Sequence, residues 1–151
     1  MIKTKIPDPE WMERLDEMGY TRNHLLSEEK KHLEPLKQKL LNIGGFAVVL
    51  FYLEEDLDKI LQRGRKFSRT NRTMSGISGR CHENSALLWN NNKTTLKLCT
   101  GYALSNDGVW RQHSWCLFGR TKTVETTLPR VQYFGYILTP KEAEIFVYNN
   151  T

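Results

Sequence analysis

No export signal is visible in this chain. Its first residues, MIKTKIPDPEWMERLDEMGY, are charged throughout and have no apolar core. The longest uncharged apolar run, residues 43–53, is too short to cross a bilayer as a helix, so no membrane association is expected. Cysteine is scarce, with three in 151 residues and no Cys-x-x-Cys pair. Without an export signal these are expected to be free thiols in a reducing compartment, and so in a cytoplasmic protein. There is no internal repeat and no low-complexity segment. Acidic residues are missing from one long stretch: between Lys59 and Arg80 lie Lys59, Arg63, Arg65, Lys66, Arg69, Arg72 and Arg80, with no Asp or Glu.

What is present fits a globular protein. Hydrophobic residues make up 39% of the chain and charged ones 26%, enough for one domain over residues 1–151 with a sizeable core. The formal charge is +5. A basic run of the kind at 59–80 serves either as a phosphate-binding patch or as a solvated helix end and loop. Aromatic residues that would stack on bases are sparse there, Phe67 alone lying inside it.

Local signals divide the chain in two. Residues 1–79 read as a helical part with one strand and a basic loop. Asp8-Pro9-Glu10 has the cap, the proline and the acid of a helix start. Trp11, Leu15 and Met18 follow at helical spacing and Gly19 ends the segment. A second helix begins at Ser27, carries Leu33, Leu36, Leu40 and Leu41, and ends at Gly44-Gly45. Pro35 inside it predicts a kink or two shorter helices. Residues 46–52 are apolar and β-branched, as in a buried strand, and residues 54–62 read as a helix. Residues 63–79 read as a long loop.

Residues 80–151 have a different texture. A helix starts at Cys81 within SGRCHENSALLWNNN. Four strands follow, at 96–104, 109–118, 121–128 and 131–138, spaced as an antiparallel meander. Thr139-Pro140-Lys141-Glu142 then supplies a capping box for a short C-terminal helix. Helices first and a sheet afterwards predict an α+β domain, with the Cys81 helix packed on the meander.

Cys81 draws attention because a helix N-terminus offers unpaired N–H groups and a positive dipole end, both of which favour thiolate. A buried, inert cysteine is the plainer explanation of the same residue. Downstream, His113 and Glu125 follow on successive strands. A thiol nucleophile needs a base, and the base benefits from a group that orients it. Cys81, His113 and Glu125 are candidates for these roles in that order. Placing His113 directly opposite Glu125 pairs Trp115 with Thr123 and Leu117 with Thr121, and leaves a three-residue loop at 118–120. A two-residue Gly119-Arg120 loop would send Glu125 to the other face. Each residue also has a structural explanation: His113 as a core histidine, Glu125 as a partner of Arg111, Lys122 or Arg130, and Tyr102, Trp110 and Trp115 as core aromatics.

The order of motifs carries a resemblance. A cysteine at a helix start, Gly101-Tyr102 on the next strand, His113-Ser114-Trp115 on the following one and then Val124-Glu125-Thr126-Thr127 resemble the core of transglutaminase-like proteins within the papain-like superfamily. The likeness covers residues 78–127, with glutamate where aspartate is usual and Thr126 where proline is usual. It implies a papain/transglutaminase-like fold and acyl transfer by a Cys-His-Glu triad on an amide or ester, as a peptidase, amidase, deamidase or transglutaminase. The substrate would be a protein, a peptide or a small amide, and no cofactor is called for. Gln112, Tyr102 and Trp115 are then candidates for substrate or oxyanion contacts, beside the Cys81 N–H and the loop before it. His82 is the alternative base. Zinc is a weaker reading, because His113 and Cys116 fall on opposite faces of one strand. A non-catalytic binding module using the basic run, with nucleic acid as partner, is the other alternative.

Overall fold

The computed structural model describes residues 8–51 and 53–151, so Tyr52, the last residue of the expected 46–52 strand, lies outside the described residues. The N-terminal part begins with α1 (Pro9–Glu17). Asp8 caps it through Oδ1, which accepts from the Glu10 N–H at 2.8 Å and the Trp11 N–H at 3.4 Å. A 3₁₀ helix (Glu28–Leu33) runs directly into α2 (Glu34–Ile43), with Pro35 in the first turn of the latter. The proline therefore marks the seam between two shorter helices, where its missing N–H costs nothing. Leu33, Leu36, Leu40 and Leu41 are all buried on one side of this pair.

The chain continues through β1 (Ala47–Val48), α3 (Leu57–Arg63), β2 (Arg65–Phe67), β3 (Arg72–Thr73) and α4 (Cys81–Asn90). It then forms β4 (Leu96–Leu104), β5 (Val109–Phe118), β6 (Lys122–Glu125), β7 (Gln132–Ile137) and α5 (Pro140–Asn150). The seven strands form one sheet of order β2-β7-β4-β5-β6-β3, with β1 added in parallel to β5. The architecture is α+β with a mostly antiparallel open sheet.

Three expectations change. Strands β4, β5 and β6 do follow one another as a meander, but β7 crosses back to pair with β4 instead of β6. The central position of β4 explains why its residues from Leu98 onward are buried on both faces. The span 63–79 is not one long loop, because β2 and β3 lie within it and cover the two edges of the sheet. Edge strands of two and three residues carry no readable alternation, and most of these side chains are exposed. The strand expected at 46–52 is ordered as a pair of residues, Ala47–Val48, and the one at 121–128 as Lys122–Glu125.

The two faces of the sheet differ. Even-numbered positions such as Leu98, Tyr102, Trp110, Cys116 and Phe134 face the helices and share one core with Leu36, Leu40 and Trp89. Odd-numbered positions form a smaller cluster of Phe67, Cys99, Ala103, Trp115, Leu117 and Tyr133. Residues 68–71 link the two edges of the sheet near this second face. Thr70 Oγ1 bonds the Tyr133 hydroxyl at 2.7 Å, and the Arg69 carbonyl accepts from Thr123 Oγ1 at 2.8 Å.

One gap in the sheet prepares the site. On the flank of β5 away from β4, β1 pairs with Val109 and Trp110, and β6 pairs with Cys116 to Phe118. Among the described residues, no strand pairs with residues 111–115 on that flank. The N-terminal turns of α4 stand there instead, and Ser85 Oγ donates to the Ser114 carbonyl at 3.1 Å.

Candidate active site

Gly79, at φ +76°, turns the chain into α4, and Arg80 occupies the N-cap without a side-chain hydrogen bond. The helix starts α1 and α5 are capped by Asp8 and Thr139. The first N–H groups of α4 thus face the site with no capping side chain, beside the thiol of Cys81.

His113 is 3% exposed and Glu125 is fully buried, with His113 Nε2 and Glu125 Oε1 2.8 Å apart. The other ring nitrogen is left for Cys81, whose sulfur lies within hydrogen-bonding reach of His113. The strand register differs from the simplest expectation. Cys116 pairs with Val124 and Phe118 with Lys122, so the three-residue loop is 119–121, with Gly119 at φ +64°. Continuing that register brings Glu125 level with Trp115, on the correct face but one pair away from His113. Glutamate, one methylene longer than aspartate, covers this diagonal.

Glu125 is held by several polar groups besides His113. Oε1 also accepts from the Tyr133 hydroxyl at 2.7 Å. Oε2 accepts from the Thr126 N–H at 3.1 Å, the Thr127 N–H at 2.9 Å and Thr127 Oγ1 at 2.8 Å. The His113 ring lies nearly parallel to Trp115 at 6.3 Å and to Tyr133 at 6.2 Å, which fixes its plane. Gly101 faces His113 across the strand pair and Gly135 faces Gly101. A Cβ at Gly135 would come within 2.8 Å of the Trp115 ring and 2.2 Å of the Thr100 carbonyl, so glycine here admits the indole.

A second imidazole approaches from the opposite face. His82 also lies within hydrogen-bonding reach of the Cys81 sulfur. Its Nδ1 bonds Ser114 Oγ at 2.6 Å, and that hydroxyl bonds Thr100 Oγ1 at 3.0 Å. Cys81 stands at the gap in the sheet, with His113 on one face and His82, bonded to Ser114, on the other.

The electrostatics follow from these contacts. Burial pushes the Cys81 thiol up, but hydrogen bonds from His113 and His82, together with their charge, outweigh it and hold the pKa at about 5. Burial pushes His113 down, and its bonds to Cys81 and Glu125 more than reverse this, so its pKa is raised. Burial also works against Glu125 as an anion, yet His113, Tyr133 and the Thr127 N–H lower it to about 2. All three cysteines are free. The other two are ordinary buried thiols: burial holds Cys99 far above the usual range and pushes Cys116 up to about 12.

Cys81 and His113 share a cavity of about 290 Å³ with Gln112 and Thr127. A cavity of about 610 Å³ lies on the helix side and reaches His82, Thr100 and Gln112. Gln112 thus borders both, with its amide donated to Glu54 Oε2 at 2.9 Å. Tyr102 and Trp115, candidates for substrate contact, are fully buried and border neither cavity. Tyr102 donates to Glu54 at 2.7 Å from the helix face, and Trp115 packs beside His113.

Several contributing residues escaped the sequence. Tyr133 and Thr127 reach Glu125, and Asn84 clamps the loop before Cys81. Asn84 Oδ1 accepts from the Ile77 N–H at 3.1 Å, and its Nδ2 donates to the Ile77 carbonyl at 2.7 Å. Asn84 lies one helical turn after Cys81, which was the available signal. The seven basic residues of the 59–80 run do not form one stripe. Lys59 and Arg63 bond Glu142, Arg65 lies over the Phe67 ring, Arg80 pairs with Glu83, and β2 and β3 stand at opposite edges of the sheet.

Among the described residues, no helix is long and apolar enough to cross a membrane. No family model, no curated protein sequence and no solved structure matches this chain.

Proposed function

We propose that this protein is a thiol acyl-transfer enzyme of the papain/transglutaminase-like kind, acting on an amide or ester through Cys81, His113 and Glu125. The observation that carries the reading is the arrangement at Cys81: a partly exposed thiol at an uncapped helix start, within reach of a buried imidazole whose far nitrogen is 2.8 Å from a buried carboxylate.

The chemistry runs as follows. The Cys81 thiolate attacks the carbonyl carbon, forming a C–S bond and an oxyanion. The N–H groups at the start of α4, which no side chain caps, are the donors for that charge in this scheme. The tetrahedral species collapses, the bond to the leaving group breaks, and the His113 imidazolium supplies the proton the leaving group needs. Glu125 holds the ring and stabilises its cationic form throughout. In the second half, water or an amine gives its proton to His113 as it attacks the thioester, the C–S bond breaks, and the thiolate returns. Protein, peptide or small-amide substrates all satisfy this scheme. No step in it requires a metal or an organic cofactor.

p-Nitrophenyl acetate tests the reading. The expected result is a burst of p-nitrophenol with an acetyl group mapped to Cys81 by mass spectrometry, absent in Cys81→Ser and strongly slowed in His113→Ala. Acetylation spread over lysines and unchanged in both variants would overturn it.

A further inference from the structure

Resting on that reading, we infer that the cavity beside Cys81 selects acyl groups bearing an anionic substituent, a carboxylate or a phosphate, and that Arg130 is the residue that binds it. The cavity that holds Cys81 and His113 is also bordered by Arg111 and Arg130, and by no aspartate or glutamate. The two arginines differ in what already occupies them. Arg111 is paired with Asp107, its Nη2 2.8 Å from Oδ2 and its Nη1 3.2 Å from Oδ1. Arg130 has only neutral hydrogen-bond partners: Nη1 donates to the Leu128 carbonyl at 2.6 Å and Nη2 to Thr127 Oγ1 at 3.2 Å. Among the described residues, no carboxylate forms an ion pair with Arg130.

A guanidinium has more N–H donors than these two contacts use, in a planar fork suited to a carboxylate or phosphate. Its position is also set, because the Thr127 hydroxyl that accepts from it donates in turn to Glu125 Oε2 at 2.8 Å. Arg130 is therefore tied to the chain that orients His113, while its charge is unmatched. The nearest carboxylate along that chain, Glu125, is buried and committed to His113, Tyr133 and the Thr126 and Thr127 N–H groups. An incoming anion would not meet a bare thiolate, since that charge is paired with His113. The larger cavity on the helix side has the opposite character, being bordered by Glu55, Asp56 and Glu142 against Lys59 and the His82 imidazole. An anionic acyl group thus has one favourable side from which to approach Cys81.

The test compares alkylation of Cys81 by iodoacetate and by iodoacetamide, each divided by the rate with N-acetylcysteine at the same pH and low salt. The two reagents react at the same carbon and differ in charge. The expected iodoacetate preference falls by about tenfold in Arg130→Gln, and by less in Arg130→Lys, which keeps the charge and loses the fork. The ratio cancels any general effect of the substitution on thiol reactivity. It also separates Arg130 from the two histidines, which attract the anion equally in wild type and variants. A Cys81 that reacts readily, with a ratio the same in wild type and Arg130→Gln, overturns the anionic specificity and leaves acyl transfer standing. A Cys81 inert to both reagents overturns the acyl-transfer reading, and the specificity with it.

Discussion

At neutral pH an ordinary thiol is mostly protonated and a poor nucleophile. Cys81 escapes this because its hydrogen bonds to His113 and His82, with their charge, outweigh its burial. Glu125 contacts His113 directly, and its length spans the diagonal that the register leaves between them. Glu125→Gln keeps the shape and removes the charge that supports the imidazolium, so p-nitrophenyl acetate turnover should fall by about a hundredfold. Glu125→Asp keeps the charge but withdraws it from Nε2. It should also lose activity, by about tenfold or more, which a direct His113–Glu125 pairing across the strands would not produce. The pH–rate profile should be a bell. Its rising limb lies near pH 5, where the thiolate forms. Its falling limb lies above the ordinary imidazole range, because His113 is raised and the scheme needs its proton.

At the scale of elements, α4 carries Cys81 and also holds the loop in front of it. Asn84 makes both polar contacts to Ile77, so Asn84→Ala should cost about 1–3 kcal/mol in urea denaturation, because a backbone N–H and carbonyl lose their partner together. It should also slow Cys81 alkylation, whereas a loop that merely covers the surface would leave the rate unchanged. The elements were legible in the sequence where their signal is local. Asp8-Pro9 and Thr139-Pro140 mark helix starts, Pro35 marks a helix seam, and β4 and β5 appear as long apolar-rich runs. The sequence did not reveal what depends on distant pairing. The crossing of β7 to β4, the edge strands β2 and β3 and the one-pair shift of Glu125 are set by contacts between segments with no shared local pattern. His113 and Glu125 were legible because strand alternation constrains faces. Tyr133 was not, because its strand is the one whose neighbour could not be deduced.

At the scale of the whole molecule, the 3₁₀ helix, α2 and the helix-facing side of the sheet share one core. Leu36 and Leu40 cluster with Trp110 and Leu104, and the Trp110 indole donates to the Gly44 carbonyl at 2.8 Å. Unfolding in urea should therefore be a single transition, with the same midpoint by far-UV circular dichroism and by tryptophan fluorescence. The site should leave its mark on that transition. Between about pH 5, where folded Cys81 loses its proton, and 6.5, the usual histidine value, the unfolded chain holds protons on both Cys81 and His113, while the folded chain holds only that on His113. Stability should rise with pH across this window and the pair should add no slope just above it, since each state then holds one proton on the pair. Cys81→Ser should abolish the rise. Glu125 acts at lower pH: its carboxyl, held at about 2 against an ordinary 4.5, stabilises the fold fully above the ordinary value and loses that contribution as pH falls towards 2.

The most direct measurement is the pH dependence of iodoacetamide alkylation at each of the three cysteines in the folded protein, read by mass spectrometry. A thiolate held by His113 requires that Cys81 alone reacts, with an apparent pKa near 5, and that His113→Ala raises it by about two units or more, while Cys99 and Cys116 stay unmodified. A Cys81 that titrates like a free thiol near ~8.5, or one that does not react at all, would contradict it.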